Sequence, residues 1–399
     1  MSSKKKISKK YQKKTHYEHI IDVPDTYIGG IDSISEEMYI LNDTNVDNIH
    51  MVKETITYVP GLERVFEEIL LNSFDQTVRE NANVSTIKVN IDKDTGTISV
   101  YNNGEGIPVI KHEEYKIWIP SMIFGELLTS SNYDKNEKRI TGGKNGYGAK
   151  LTNIFSKYFK IETVDEKEGK KFVMVWENNM LKKHKPKVTK SSSKGYVKVI
   201  FKPDYERFGL TGLTDDILKL MIKRIYDISA CSNTAVTVYY NNKKIKQKTF
   251  LQYASLYTNS KDIVKIHEIV NDRWEIIACL NQNDVFSHVS FVNGISTIHG
   301  THVNYIQDQI VKKISAIIKK KKLDTVIKNS FIKNKLRLFI KCFIENPIFG
   351  SQSKQELKSK VKSYGSTVKI SDKFIKQLIS KTNIIEEIVE YANYKETRN

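Results

Sequence analysis

The chain is poor in the residues that would make it a secreted, fibrous or membrane-spanning protein. Three cysteines among 399 residues, Cys231, Cys279 and Cys342, stand far apart and form no CxxC pair. That argues against a disulfide framework and predicts reduced structural thiols in a reducing compartment. Seven prolines and 19 glycines are too few for a collagenous or low-complexity chain. No apolar run approaches the roughly 18 residues needed to cross a bilayer. The lysine-rich start is not followed by the apolar segment of a signal peptide. The expectation is a soluble, intracellular protein with no membrane partner. Acidic residues are short as well: 64 Lys and Arg face 46 Asp and Glu, a formal charge of +18. Such an excess suits a polyanion such as nucleic acid, although a solubilising lysine surface has the same composition.

Hydrophobic residues make up 39 %, enough for real cores, and the length suggests two or three domains. The start, "KKKISKKYQKK", reads as a basic arm over 1–25. Residues 61–80, "GLERVFEEILLNSFDQTVRE", have helical periodicity. "TIKVNIDKDTGTISVYNNGEGIPV" reads as two strands about a turn, where Asp92 and Asp94 are turn chemistry rather than a metal pair. A helical region near "SMIFGELLTS" leads into about twenty polar residues of the kind that form functional lids. "KLTNIFSKYF" then restarts a helix. Near residue 246 the texture changes. A strand "DVFSHVSFVNGI", a helix "VNYIQDQIVKKISAII" and a strand "LRLFIKCFIENP" make a βαβ unit, expected to be a right-handed crossover. In that helix Val303, Ile306, Ile310, Ile314 and Ile317 keep steps of three or four. In the second strand Leu336, Leu338, Ile340, Cys342 and Ile344 share a face. The fold class is α+β, with one domain over 26–245 and a second over 246–399.

The densest glycine cluster is "TGGKNGYGAKLTNIFS", residues 141–156. Gly143 and Gly148 have the separation of a Walker loop, but Ala149 occupies the lysine position and Lys150 comes one residue late. The GxGxxG pattern fails too, because no third glycine follows Gly146 and Gly148. What remains is a glycine-rich turn before a helix, suited to anions. On the helix over 61–80, Glu68, Asn72, Asp75 and Arg79 fall within roughly 60° of one another. Val65 and Ile69 flank that stripe on one side, Leu71 and Val78 on the other. A polar stripe between apolar flanks is either a solvated face or the wall of a pocket. Asn102, Asn103, Gly104 and Gly106 add a second glycine loop, of the kind that lets backbone approach a ligand closely.

The order "EILLNSFDQ", "NNGEGIP", "GGKNGYGAK" resembles the Bergerat-fold (GHKL) ATPases, which include gyrase, the ninety-kilodalton heat-shock chaperone, histidine kinases and MutL. "YQKKTHYEHI", "PDTYIGG", "FGELLTSSNYDKNEKRITGGKNGYGAKLTNIFS" and "ENPIFGSQSK" are similar to the eukaryotic-type DNA topoisomerase II family, from about Tyr11 to the end. The resemblance implies an α/β sandwich ATPase domain followed by a transducer domain. It implies Glu68 as the general base of ATP hydrolysis and Asn72 as the Mg²⁺ ligand. Asp75, Gln76 and Asn102 fall where the family meets adenine and ribose, beside Gly106. Ser130, Ser131 and Asn132 match contacts to ribose and phosphates. Gly143, Lys144, Asn145, Gly146, Tyr147, Gly148, Ala149 and Lys150 match the ATP lid. Gln352, Ser353 and Lys354 match a loop that reaches across from the second domain, its lysine touching the γ-phosphate. The run Lys319, Lys320, Lys321 and Lys322 falls where the family lines its DNA cavity.

Two departures bear on the nucleoside pocket: Gln76 replaces the usual asparagine and Phe74 a small residue. "QSK" stands for the family's "QTK". His299 and His302 in "HGTH" lack a third metal ligand nearby and read as structural. No "EGDSA"-like segment and no Arg-Tyr pair occurs. The resemblance therefore implies the N-terminal ATPase gate of a longer enzyme, which dimerises on ATP, captures duplex DNA and does not itself cut it. Its place would be a eukaryotic nucleus or the replication site of a large DNA virus. A chaperone or mismatch-repair clamp of the same superfamily, and a binding module with a decayed pocket, are the alternatives.

Overall fold

The computed structural model describes residues 13–45, 48–79, 83–127, 138–143, 146–258, 263–321, 327–351 and 354–397. Helix α1 (His16–Asp22) begins with a capping box, Thr15 and Glu18 each accepting from the other's backbone N–H. It lies inside the basic arm and docks on the body, Tyr17 Oη donating to the Asn179 carbonyl at 2.6 Å. Strands β1 (Ile34–Asn42) and β2 (His50–Tyr58) form an antiparallel pair. Helix α2 (Pro60–Val78) has a proline at its start, where a missing N–H leaves no bond unmade. The Gly61 N–H donates to the Gly30 carbonyl and ties that end of the helix to the preceding loop.

A nine-stranded sheet carries the first half of the chain. Its strands are β3 (Thr86–Asp92), β4 (Thr97–Asn103), β5 (Ser156–Asp165), β6 (Lys170–Glu177), β7 (Lys182–Lys183), β8 (Lys187–Lys190), β9 (Tyr196–Pro203), β10 (Thr237–Tyr240) and β11 (Lys243–Lys244). They run in the order β11-β10-β3-β4-β9-β5-β6-β7, with β8 also on β6. Alternate residues point inward, as period-2 patterning requires. Ile87, Val89, Ile98, Val100, Phe159, Ile161 and Phe201 are all buried. That face shares one core with α2, α3 (Ile119–Gly125), α4 (Gly148–Ile154), α5 (Asp215–Cys231) and α6 (Phe250–Ser255).

The predicted helix over "KLTNIFSKYF" is corrected by this sheet. It ends at Ile154, the Phe155 N–H closing it on the Leu151 carbonyl, and Ser156 opens β5. Alternating Phe159 and Ile161 bury on the sheet's inner face, and that burial outweighs the local helical reading.

The second sheet has five strands, β12 (Lys265–Asn271), β13 (Trp274–Leu280), β14 (Ser287–Val292), β15 (Ile295–Thr297) and β17 (Leu336–Cys342), in the order β12-β13-β17-β14-β15. Between β15 and β17 come the short strand β16 (His299–Gly300), which pairs with β18 (Glu356–Leu357), and helix α7 (Thr301–Lys320). Strands β14 and β17 are parallel, as the βαβ reading requires. Val303, Ile306, Ile310 and Ile314 pack in one cluster with Leu336, Leu338, Ile340, Cys342 and Ile344, while Ile317 is only partly buried at its edge. Phe339 faces the other way and joins Ile277, Cys279 and Phe291 in the first core. The five-stranded sheet is thus covered on both faces and physically shared between two cores. Helices α8 (Asn329–Asn334), α9 (Asp372–Lys381) and α10 (Ile384–Thr397) complete the second cluster. All three cysteines are free and buried.

The loop after β4 is clamped to β5. The Ile107 N–H donates to Thr163 Oγ1 at 3.0 Å and the Val109 N–H to Asp165 Oδ2 at 2.8 Å. Gly106, at φ +83°, lies so close that a Cβ would come 1.8 Å from the Val164 carbonyl oxygen. The close approach this glycine permits is therefore to the neighbouring strand. Gly106→Ala is expected to cost about 1–3 kcal/mol of stability from the backbone conformation and the clash, read as a lower denaturation midpoint.

Candidate functional site

Glu68 lies in the middle of α2 and is 5 % exposed. Two cations converge on one of its oxygens. Arg64, one turn earlier, places Nη2 on Oε1, and Lys354 brings Nζ to 3.4 Å from the same atom. The other oxygen faces the glycine cluster: a Cβ on Gly148 would come 1.9 Å from Oε2. Gly148 opens α4, so this glycine is what lets the carboxylate sit against the lid's helix. Burial alone pushes the Glu68 carboxyl up, but Arg64 and then Lys354 overcome it and hold the group below its ordinary value. Lys354 is pushed below the usual lysine value by burial, against the pull of Glu68. Its ammonium also donates to the Gly142 carbonyl at 3.3 Å. The residue itself has φ +57°, a left-handed conformation that costs a non-glycine residue about 1–3 kcal/mol.

The lid is anchored to α2 at Asp75. Its Oδ1 accepts the Gly142 N–H at 2.8 Å and its Oδ2 the Gly143 N–H at 3.0 Å. Burial raises this carboxyl to about 6, against the two amides that lower it. Asn72 lies one turn beyond Glu68, half-buried, and among the described residues its side-chain amide has no hydrogen-bond partner. Gln76 is half-buried on the next turn. Asn102 is buried at the end of β4, its amide donating to the Asn103 carbonyl at 3.0 Å. Asn103 ties strands together instead, its Oδ1 accepting from the Ser85 and Thr86 N–H groups.

Lys150, in the first turn of α4, is 2 % exposed, and its ammonium donates to the Gly146 carbonyl at 2.7 Å. Burial lowers it to about 8. Tyr147 packs edge-on to His16 of α1, with ring centroids 5.5 Å apart, which brings the N-terminal helix to the lid. Ala149 is buried in the first core. Lys319, Lys320 and Lys321 are exposed at the end of α7, far along the chain from these groups. His302 is fully buried and bonded to Thr297 Oγ1 at 3.1 Å, and no group of three metal-ligating side chains occurs among the described residues. Ser130, Ser131, Asn132, Lys144, Asn145, Lys322, Gln352 and Ser353 lie outside the described residues.

The structure thus brings Glu68, Asp75, Gly142, Gly143, Gly148 and Lys354 together, from α2, the lid and the loop beyond β17. Sequence reasoning missed Arg64, although its spacing of four residues before Glu68 is an ion-pairing signal on a helix. It also missed Thr163, Asp165, Arg224 and Asn293, which act on groups distant in sequence and carry no local signature. A separate cavity of about 240 Å³, lined in part by Ser33, Tyr58, Thr214 and Asp216, shares no residue with this site.

A family model described as histidine kinase-, DNA gyrase B-, and HSP90-like ATPase matches residues 57–180, and one described as DNA gyrase B matches 235–399. The DNA topoisomerase 2 of Candida glabrata is 46 % identical over 413 residues, which cover 98 % of this chain and 29 % of that protein. The DNA topoisomerase 2 of Acanthamoeba polyphaga mimivirus is 44 % identical over 402 residues, covering 99 % of this chain and 31 % of that protein. The chain therefore spans less than a third of these relatives. The crystal structure of the ATPase region of Saccharomyces cerevisiae topoisomerase II superposes with a TM-score of 0.90 at 45 % identity, covering 97 % of this chain and all of that one. With the GHKL ATPase fold and this agreement along its whole length, the chain belongs to the topoisomerase II family, as a member of its ATPase region.

Proposed function

We propose that this chain binds and hydrolyses ATP at the Glu68 site and serves as the ATP-operated gate of a type II DNA topoisomerase. The arrangement around Glu68 is the observation that carries the reading. Two cations hold Oε1, and Oε2 is left facing the glycine lid. A carboxylate kept ionised in this way can accept the proton of a water attacking the γ-phosphate. Arg64 and Lys354 fix the orientation of the carboxylate plane. Asp75 fixes the lid's first glycines, whose neighbours Gly146 to Lys150 would wrap the phosphates. Asn102, Gln76, Ser130, Ser131 and Asn132 would meet the nucleoside, with Gln352 and Ser353 beside Lys354.

Asn72 fits a magnesium ligand. Its carbonyl oxygen is a hard donor, it is one turn from the base, and no protein group among those described engages it. A single protein ligand is usual for Mg²⁺, which keeps waters and takes phosphate oxygens for the rest. When bound, the ion neutralises charge on the phosphates.

In the same reading, residues 26–245 form the nucleotide-binding domain and 246–399 the transducer. Two copies close on ATP and trap duplex DNA for strand passage by the remaining cleavage domains. The cell nucleus, or the replication site of a large DNA virus, is the setting. Lys319 to Lys322 would neutralise phosphates without reading sequence. A chaperone or mismatch-repair clamp is disfavoured by likeness to topoisomerase II ATPase regions along nearly the whole chain.

Glu68→Ala is expected to lower ATP turnover by about 10²–10⁴-fold while a non-hydrolysable analogue still binds. Unchanged turnover would remove the base assignment. Size-exclusion chromatography of the chain should show a monomer without nucleotide and a dimer with that analogue and Mg²⁺. A monomer under both conditions contradicts the gate. Replacing Lys319, Lys320, Lys321 and Lys322 by alanine should flatten the salt dependence of duplex binding. The expected change is up to roughly 0.9 in log–log slope per lost phosphate contact, and an unaltered slope would place DNA elsewhere.

A further inference from the structure

Glu67 sits beside the base, and the hydrolysis scheme leaves it without a role. Each of its carboxylate oxygens takes a different arginine. Oε2 accepts from Arg64 Nη1 at 3.2 Å, and Oε1 from Nε of Arg224. Arg224 comes from α5 and is 3 % exposed. Its Nη1 donates to Asp227 Oδ2 at 2.6 Å, and its Nη2 to the carbonyl of Gly294 at 3.4 Å. Gly294 belongs to the turn between β14 and β15 of the second sheet. A buried path therefore runs from Gly294 through Arg224, Glu67 and Arg64 to Glu68 Oε1, hydrogen-bonded as far as Arg64 and closed by the ion pair of Arg64 Nη2 with Glu68 Oε1. The oxygen on which it ends is the one that Lys354 also reaches.

The turn at the far end of this path touches the other parts of the site. Gly294, at φ +76°, lies on the Phe74 ring of α2, where a Cβ would come within 2.4 Å. Asn293 holds the chain beyond β17, its side chain accepting the Ile344 N–H at 2.7 Å and donating to the Ile344 carbonyl at 2.9 Å. The same amide donates to the Thr141 carbonyl at 3.3 Å, just before the lid glycines that Asp75 holds. A shift of the second sheet would move Gly294 relative to α5, and Arg224 is the group that feels it.

We propose that Arg224 is a positioning residue for hydrolysis: through Glu67 and Arg64 it makes the placement of Glu68 depend on where the Asn293–Gly294 turn of the second sheet sits. The proposal rests on the reading of Glu68 as the base. Lys354 and Arg224 then tie the base to the second sheet by two separate contacts, one from its loop and one from its turn. The planar guanidinium serves Glu67, Asp227 and Gly294 at once, which a lysine ammonium on a single stem cannot do in that geometry.

The test uses the 399-residue chain and reads ATP turnover together with the dissociation constant of a non-hydrolysable ATP analogue. Arg224→Lys keeps the charge and loses the fork. Turnover should fall by about tenfold to a hundredfold, with analogue affinity within about threefold of the parent. Adding Arg64→Lys should cost no more than the worse single change, because both interrupt one path, whereas independent effects would multiply. If Arg224→Lys fails to fold, Glu67→Gln replaces it, neutralising the middle link in the same shape, with the same expectation. Unchanged turnover, a parallel loss of turnover and affinity, or multiplying losses in the double variant each overturn the proposal. Glu68→Gln run alongside separates the two readings. If it still turns over, the base assignment is what fails. If it is inactive while Arg224→Lys is normal, only the positioning role fails.

Discussion

A carboxylate sunk into the middle of a helix and 5 % exposed would tend to take up a proton, because desolvation penalises its charge. Glu68 is kept ionised by two buried cations from different parts of the chain, one on its own helix and one from the loop beyond the second sheet. The rest of the site follows from this pairing. Removing one member of such a buried pair leaves the other uncompensated, at a cost of about 3–5 kcal/mol, so each group depends on the others being in place. Lys354 is held in a left-handed backbone conformation, which the surrounding contacts must offset. The arrangement gives the carboxylate a fixed plane, with one oxygen committed to cations and the other turned to Gly148.

Glycine has a spatial meaning here that differs from the simplest expectation. Glycine loops invite the reading that backbone approaches a ligand. Gly148 and Gly106 instead permit approach to protein groups, the Glu68 carboxylate and the Val164 carbonyl. Packing of this kind fixes the start of α4 against α2 and the loop after β4 against β5. Gly294 does the same at the second sheet, against Phe74. That contact bears on one departure from the family pattern: the bulky Phe74, where a small residue is usual, is buried, lies against Gly294 and stacks with Phe343 at 6.3 Å between centroids. The larger residue is accommodated within the first core, against the Gly294 turn and the end of β17.

The second sheet is the mechanical element. Residues alternate along β17 between the two cores, Phe339 into one and Leu338 and Ile340 into the other. A sheet buried on both faces cannot shift without repacking both cores, since interiors are close-packed. A displacement on one face of the sheet, where α7 packs, is thereby felt on the other, in the core that holds α2. The turn at Asn293 and Gly294 and the loop at Lys354 are points where this part of the chain meets the groups around Glu68.

Much of this was legible in the sequence, and the divide is physical. Period-3.6 and period-2 patterns identified α2, α7, β3, β4, β14 and β17, because the burial that makes each element is written in its own side chains. Glu68, Asp75 and the glycine lid could be named from types and order. The β5 strand was misread at its first residues, where a helix and a strand meet without a breaker. Arg64 was visible in principle, four residues from its partner. The pairing of Lys354 with Glu68, 286 residues apart, was not derivable from the residues themselves, nor was the link from Arg224 to Glu67 across 157 residues. Local pattern determines elements and candidate chemistry. Which charge neutralises which is decided only when the chain closes, because Coulomb pairing depends on distance in space and on exclusion of water, and neither exists before the fold does.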